Sequence, residues 1–333
     1  MKRIDARIIQ KILFITLSNI GDAILTTPSL DLIRRFFPKS KITVMVGPRA
    51  REVFEGHPEA DQVLLYNKHS SFREKIFLMM KLKKEHFDLV IDLRHTLIPL
   101  FIKPRFATPL FRKTKKGHAA IQHLDVLKSL GIEGHCTFVL PCFEGDCRKV
   151  KELMNQRGIS SGEAYVVLAP GAASPLKRWD VWKFRELAKR LRDDFSIPIV
   201  IVGTKGDEPE FNGVFSKEEW VSLVGELSLM ELGHLLKSAR LFITNDSGPM
   251  HLAAAFGTPT LAIFGPTDPE VYGPYGPTHR VVRLDLHCSP CMKGFCRIKT
   301  HECLKTLEVN QVYQTLCEML KGNNHFDKIC IQS

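Results

Sequence analysis

Apolar runs and amphipathic stretches alternate along the whole chain. In the first half, apolar runs at 11–17, 41–46, 62–66 and 87–92 read as buried strands, and stretches of helical character at 28–37, 49–55, 72–86 and 118–130 lie between them. The second half repeats the scheme, with strands at 164–169, 198–203, 220–224, 241–244, 260–264 and 279–284 and helices at 179–193, 228–238 and 247–256. Such alternation builds a parallel sheet covered by helices on both faces. Its occurrence twice predicts two doubly wound α/β domains facing one another across a cleft. A polar stretch at 142–162, containing Gly145, Gly158 and Gly162, is the expected boundary, giving domains 1–155 and 156–333. With 333 residues, 44% of them hydrophobic, the chain can bury two cores of ordinary domain size.

Three predicted strand ends carry candidate chemistry. The richest is Asn245-Asp246-Ser247-Gly248-Pro249-Met250-His251, followed by an Ala-rich helix and then by Gly265-Pro266-Thr267-Asp268. Ser247 or Asp246 can cap that helix, Gly248 lets backbone approach a bound group, and the first-turn N–H groups favour a phosphate, with His251 about one turn in. The same residues also suit an ordinary capped crossover helix. At the N-terminal end, the strand Lys11 to Leu17 runs into Ser18-Asn19-Ile20-Gly21-Asp22, with Thr26-Thr27-Pro28 beyond. Gly21 permits a tight turn, and Asp22 at the strand end is either a general base or a helix cap. The third segment follows the strand 164–169, where Pro170-Gly171-Ala172-Ala173-Ser174-Pro175-Leu176-Lys177-Arg178-Trp179 forms a small-residue loop ending in two cations. It suits a diphosphate, with Lys177 or Arg178 neutralising charge, and equally a plain Gly/Pro loop with solvated cations.

In their order and separation these segments resemble the family nine glycosyltransferases, the heptosyltransferases that build the inner core of bacterial lipopolysaccharide. The resemblance runs from about Lys11 to about Leu320 and rests most on Gly21-Asp22 with Thr27-Pro28, Lys177-Arg178-Trp179, and Asp246-Ser247-Gly248 with His251 and Gly265-Pro266-Thr267-Asp268. It implies a GT-B fold, ADP-heptose as the usual donor, a lipid A-core acceptor, inversion at the anomeric carbon, and no metal required for catalysis. The first domain would bind the acceptor, with Asp22 as general base. The second would bind the donor, with Lys177 and the N–H groups at Ser247 and Gly248 on the diphosphate. Asp246 would hold sugar hydroxyls or cap the helix, and His251 would complete the phosphate site or touch the sugar. The family's ribose-binding acid falls at Asp207 or Glu208, of which Glu208 is favoured. A final helix, Glu308 to Leu320, is expected to cross back to the first domain. Rival readings are another nucleotide sugar or acceptor, a nucleotide-sugar epimerase, and a non-catalytic binding protein. A dinucleotide oxidoreductase is disfavoured because no Gly-x-Gly-x-x-Gly follows the first strand.

Charge adds a possible partner. The chain carries 47 basic and 36 acidic residues, a net +11, and groups Lys103, Arg105, Arg112, Lys113, Lys115 and Lys116 among Phe101, Phe106, Leu110 and Phe111. A basic and aromatic strip suits a lipid headgroup or a phosphorylated inner-core sugar, or it is a solvated loop; no nucleic-acid-binding motif accompanies it. Without a signal-peptide pattern or a membrane-spanning run, a cytoplasmic protein held at the inner membrane face by charge is expected. Nine cysteines make a disulfide framework an unsuitable reading. Cys288, Cys291, Cys296 and Cys303 are compact enough to hold a structural Zn or Fe, or to stand as reduced thiols.

Overall fold

A computed structural model describes residues 4–16, 19–110, 116–216 and 219–321. The chain divides into two compact units, Met1–Cys142 and Phe143–Ser333.

The first unit runs β1 (Lys11–Ile15), α1 (Ile20–Ile24), α2 (Thr27–Phe36), β2 (Lys41–Val46), α3 (Arg51–Phe54) and β3 (Gln62–Leu65). It continues through α4 (Phe72–Lys84), β4 (Leu89–Asp92), α5 (Ile98–Ile102), β5 (Phe106–Ala107) and α6 (Ala119–Lys128). The strands pair in parallel in the order β3-β2-β1-β4-β5. The run Ile12-Leu13-Phe14-Ile15 is apolar throughout because β1, at the centre, is buried on both faces. Two buried polar side chains tie the segment before residue 140 to this unit. Asp31 on α2 accepts from the backbone N–H of Thr137 (2.8 Å) and pairs with Arg35, also at 2.8 Å. His57 accepts from the Glu59 N–H at Nδ1 (3.1 Å), which leaves Nε2–H to donate to the Val139 carbonyl (2.9 Å). Burial of this neutral ring pushes its pKa down to about 4.

The second unit opens with α7 (Glu144–Gln156), β6 (Val166–Ala169), α8 (Val181–Phe195), β7 (Ile199–Ile201), α9 (Glu208–Asn212) and β8 (Val221–Ser222). Then come α10 (Leu229–Ser238), β9 (Leu241–Asn245), α11 (Gly248–Ala255), β10 (Thr260–Ile263), α12 (Pro269–Tyr272), β11 (Arg280–Val282), α13 (Glu302–Lys305) and α14 (Val309–Lys321). All pairings are parallel, in the order β11-β10-β9-β6-β7-β8. On one face α8 packs its buried Val181, Phe184, Leu187, Ala188, Leu191 and Phe195. That spacing of three and four residues is the helical period.

Within the polar stretch 142–162, α7 occupies most of the length, with Val150 and Met154 one turn apart and buried, and groups with the second unit. Lys149 on this helix pairs with Glu231 of α10 at 2.7 Å. Within the second unit, Val312, Tyr313, Leu316 and Leu320 of α14 join the core that α8 covers, and Trp179 donates its indole N–H to the Leu307 carbonyl just before the helix (3.0 Å).

Candidate functional site

In an open parallel sheet, ligands bind beyond the carboxyl ends of the strands, where the winding direction reverses. In the second unit that point lies between β6 and β9. The residues leaving those two strands are 170–179 and 246–248. Asn245, the last residue of β9 and fully buried, clamps the first loop at both ends. Its amide nitrogen donates to the Pro170 carbonyl (2.5 Å), and its oxygen accepts from the Trp179 N–H (3.0 Å). Gly171 lies in the clamped loop, where a Cβ would approach the Asp207 carboxylate to 3.0 Å, a tight contact that glycine avoids.

The clamp aims Lys177. Its ammonium lies 2.7 Å from Asp246 Oδ2, with the lysine side chain one-third exposed and the aspartate 5% exposed. The Thr267 hydroxyl, from the loop after β10, donates to the same oxygen. The buried carboxylate is therefore partnered by a cation and a hydroxyl, and the cation stays within reach of solvent.

Neither Asp246 nor Ser247 caps α11. Ser247 holds the cap position with extended backbone, but its hydroxyl lies 3.1 Å from Thr244 Oγ1 and makes no bond to the first turn. Ser247, Gly248 and Pro249 are half-buried, so the start of α11 is open beside the lysine; His251 lies further in and is 6% exposed. Positive helix-end charge and a lysine at one place attract a polyanion.

Arg178 is turned elsewhere. It donates through Nε to the Ala172 carbonyl (2.8 Å) and pairs with Glu210 (3.0 Å) and Asp207 (3.6 Å). Of the two candidate cations, only Lys177 faces Asp246. Asp207 is also engaged, since its Oδ2 accepts from the N–H (2.9 Å) and hydroxyl (2.7 Å) of Thr204. Glu208, at the start of α9, is half-buried, and a Cβ on Gly225 would meet its Oε1 at 2.7 Å.

At the corresponding end of β1, Asp22 is the third residue of α1 and half-buried. Asn19 rather than Asp22 holds the cap position, and Gly21 is helical, so the tight turn expected there is a helix start. Thr26 precedes α2, with Pro28 in its first turn, and the hydroxyls of Thr26 and Thr27 donate to the carbonyls of Ala23 (2.7 Å) and Ile24 (2.9 Å). Those bonds hold α1 and α2 as one block.

The basic strip is not a simple loop. Lys103 ends α5 in a left-handed conformation (φ 50°), and Arg105 stacks over Phe106, which pairs in β5. Arg112 and Lys113 lie outside the described residues.

The metal reading of the cysteines is also corrected. Cys288, Cys291, Cys296 and Cys303 share the wall of a cavity of about 310 Å³. Among the described residues, no three Cys, His, Asp or Glu side chains are placed to share one ion. Burial, reinforced by the other three sulfurs, pushes the Cys303 thiol up to about 11. The segment instead supports the site loops. Ser289 Oγ donates to the Gly265 carbonyl (2.6 Å), the Met292 N–H donates to that of Pro266 (2.8 Å), and His301 Nε2 bonds the Leu176 carbonyl (2.8 Å).

Sequence reasoning gave Asn245 and Thr267 no role. The available signal was an amide closing the strand that begins with the apolar run Leu241-Phe242-Ile243.

The sequence model of Glycosyltransferase family 9 (heptosyltransferase) matches residues 141–301. The chain is 29% identical to lipooligosaccharide heptosyltransferase 2 of Campylobacter jejuni over 92% of its own length and 97% of that protein. It superposes on the crystal structure of the glycosyl transferase family 9 from Veillonella parvula with a TM-score of 0.84 at 24% identity, covering 97% of this chain and 99% of that one. On the E. coli heptosyltransferase WaaC with ADP-2-deoxy-2-fluoro heptose the TM-score is 0.68 at 20% identity, covering 93% and 99%. The fold is GT-B, built from two doubly wound parallel-sheet units. Residues 141–301 thus match the glycosyltransferase family 9 model, the chain is similar to heptosyltransferases along nearly its whole length, and it is a glycosyltransferase.

Proposed function

We propose that this protein transfers heptose from ADP-heptose to the inner core of lipopolysaccharide by a single inverting displacement that needs no metal. The observation that carries the donor half is the Lys177–Asp246 pair beside the open start of α11, at the switch point of the second sheet. The names of the Campylobacter relative and of the E. coli neighbour's ligand support heptose and ADP.

On this reading Asp22 takes the proton from the acceptor hydroxyl as its oxygen bonds to the anomeric carbon. The bond from that carbon to the diphosphate breaks, and ADP leaves with the electron pair. Lys177 and the N–H groups at Ser247 and Gly248 stabilise the charge that develops on the diphosphate, which is electrostatic work of the kind a bound cation performs elsewhere. Asp246 orients Lys177 and is available to sugar hydroxyls. Glu208 is the ribose contact, because Asp207 is already bound within its own loop. His251 borders the phosphates or the sugar. The acceptor is lipid-borne, Lys103 and Arg105 meet its anionic groups, and the enzyme works in the cytoplasm at the inner membrane face.

The test is ADP release from ADP-heptose with truncated lipopolysaccharide acceptors, in EDTA, comparing wild type with Asp22→Asn. Acceptor-dependent release that survives EDTA and falls about a hundredfold or more in the variant is expected. Equal rates in the two proteins would remove Asp22 as base. Conversion of the donor without any acceptor would make the protein an epimerase.

A further inference from the structure

The first unit exposes apolar side chains that its core does not use. Phe72, Ile76, Phe77 and Met80 lie on one arc of α4, opposite Leu82, and Phe72 and Phe77 are 78% and 72% exposed. Beside them, Leu97 (69% exposed), Leu100 and Phe101 project from the start and body of α5. The two sets are neighbours: α4 and α5 pack through Leu78, Leu82 and Ile98, and Lys83 Nζ lies 5.9 Å from the centre of the Phe101 ring.

The rim is cationic. Arg73, Lys81, Lys83, Lys84, Lys103 and Arg105 are all exposed. The acids of the same segment face local partners. Glu74 closes the capping box with Ser71, Glu85 pairs with Lys11 at 3.2 Å, Asp88 accepts from the Lys11 N–H, and buried Asp92 accepts from Arg94 and Thr96. Apolar residues amid uncompensated lysine and arginine form a surface that can enter the headgroup layer while its cations meet anionic lipid. A second copy of the chain fits less well, because a two-fold contact would set one basic rim against another.

We infer that the α4–α5 face of the first unit is a docking surface for an anionic lipid bilayer, with Phe72, Phe77, Leu97 and Phe101 inserting and Lys81, Lys83 and Lys84 on the headgroups. This deepens the reading of a lipid-borne acceptor, yet vesicles that carry no saccharide test it separately.

The experiment is co-sedimentation of the full chain with phosphatidylcholine vesicles containing about 30% phosphatidylglycerol, and with phosphatidylcholine alone. Binding to the anionic vesicles only is expected. It should weaken about tenfold or more in Phe72→Ser/Phe77→Ser/Leu97→Ser/Phe101→Ser and again in Lys81→Gln/Lys83→Gln/Lys84→Gln. Should the first variant misfold, Phe77→Trp supplies a probe whose fluorescence brominated acyl chains quench on binding. Absence of vesicle binding, binding unchanged in both variants, or loss of a wild-type dimer in place of vesicle binding would overturn the inference. If vesicle binding fails while ADP release in the presence of a delipidated acceptor persists, the surface is wrong and the transferase reading stands.

Discussion

The helices α4 and α8 flank their sheets in similar ways and spend their apolar residues differently. Along α8 six residues from Val181 to Phe195 are buried, and apart from Trp182 in its first turn the exposed face is built mostly of charged side chains that pair, such as Arg185 with Glu219 and Arg190 with Glu186. Along α4 only Leu82 is fully buried, while two phenylalanines, an isoleucine and a methionine stand in solvent. Apolar periodicity alone marks both as helices. What separates them is whether the apolar arc has a partner within the chain, and that depends on which elements fold over it.

The comparison is broken most directly in the core. Phe184→Ala on α8 should cost about 3–5 kcal/mol, and Phe77→Ala on α4 less than about 0.5 kcal/mol, in urea unfolding followed by circular dichroism. Equal costs would mean that the α4 arc is packed after all. A second test asks whether the first unit is simply loose. The unfolded imidazole of His57 gains its proton near pH 6.5 and the folded one only near pH 4, so the unfolded state binds more protons in between. Stability should therefore fall as pH drops through that window, by up to about 3 kcal/mol, and stay level above it. His57→Gln preserves a donor for Val139 and an acceptor for Glu59 and should remove this component; an unchanged slope would show that the ring is solvated. The smallest effect concerns local signals. Ser71→Ala, which removes the α4 capping box, should raise amide exchange in α4 about fivefold, an effect of about 1 kcal/mol. Asp180→Ala at the α8 cap should leave exchange at Leu187 and Leu191 near its global value.

The strand sequence was legible because buried parallel strands such as β1, β2, β6 and β9 are almost wholly apolar and short. The strand-end loops were legible through Gly, Pro and Asp punctuation. Capping was misread at α11, because an Asp-Ser-Gly run reads as a cap until Lys177 and Thr267, far away in sequence, claim the carboxylate. The helix α7 was missed because only Val150, Leu153 and Met154 mark its apolar side, among eight charged or polar neighbours too evenly spread to draw attention. The choice between Lys177 and Arg178 needed Glu210 and Asp207, which turn the arginine away. For the α11 cap and the lysine loop the deciding partner is distant in sequence, where spacing rules do not reach.

The hydrogen bonds from His301 to Leu176 and from Trp179 to Leu307 join residues 125 and 128 positions apart. During synthesis the strands of the second sheet leave the ribosome well before the segment that steadies the lysine loop. A nascent chain halted after Val282 would hold every strand of both sheets and still lack the support that sets Lys177. If Lys177 holds the donor as proposed, donor binding is among the last properties the growing polypeptide acquires, and an incomplete chain would not sequester nucleotide sugar before it can use it.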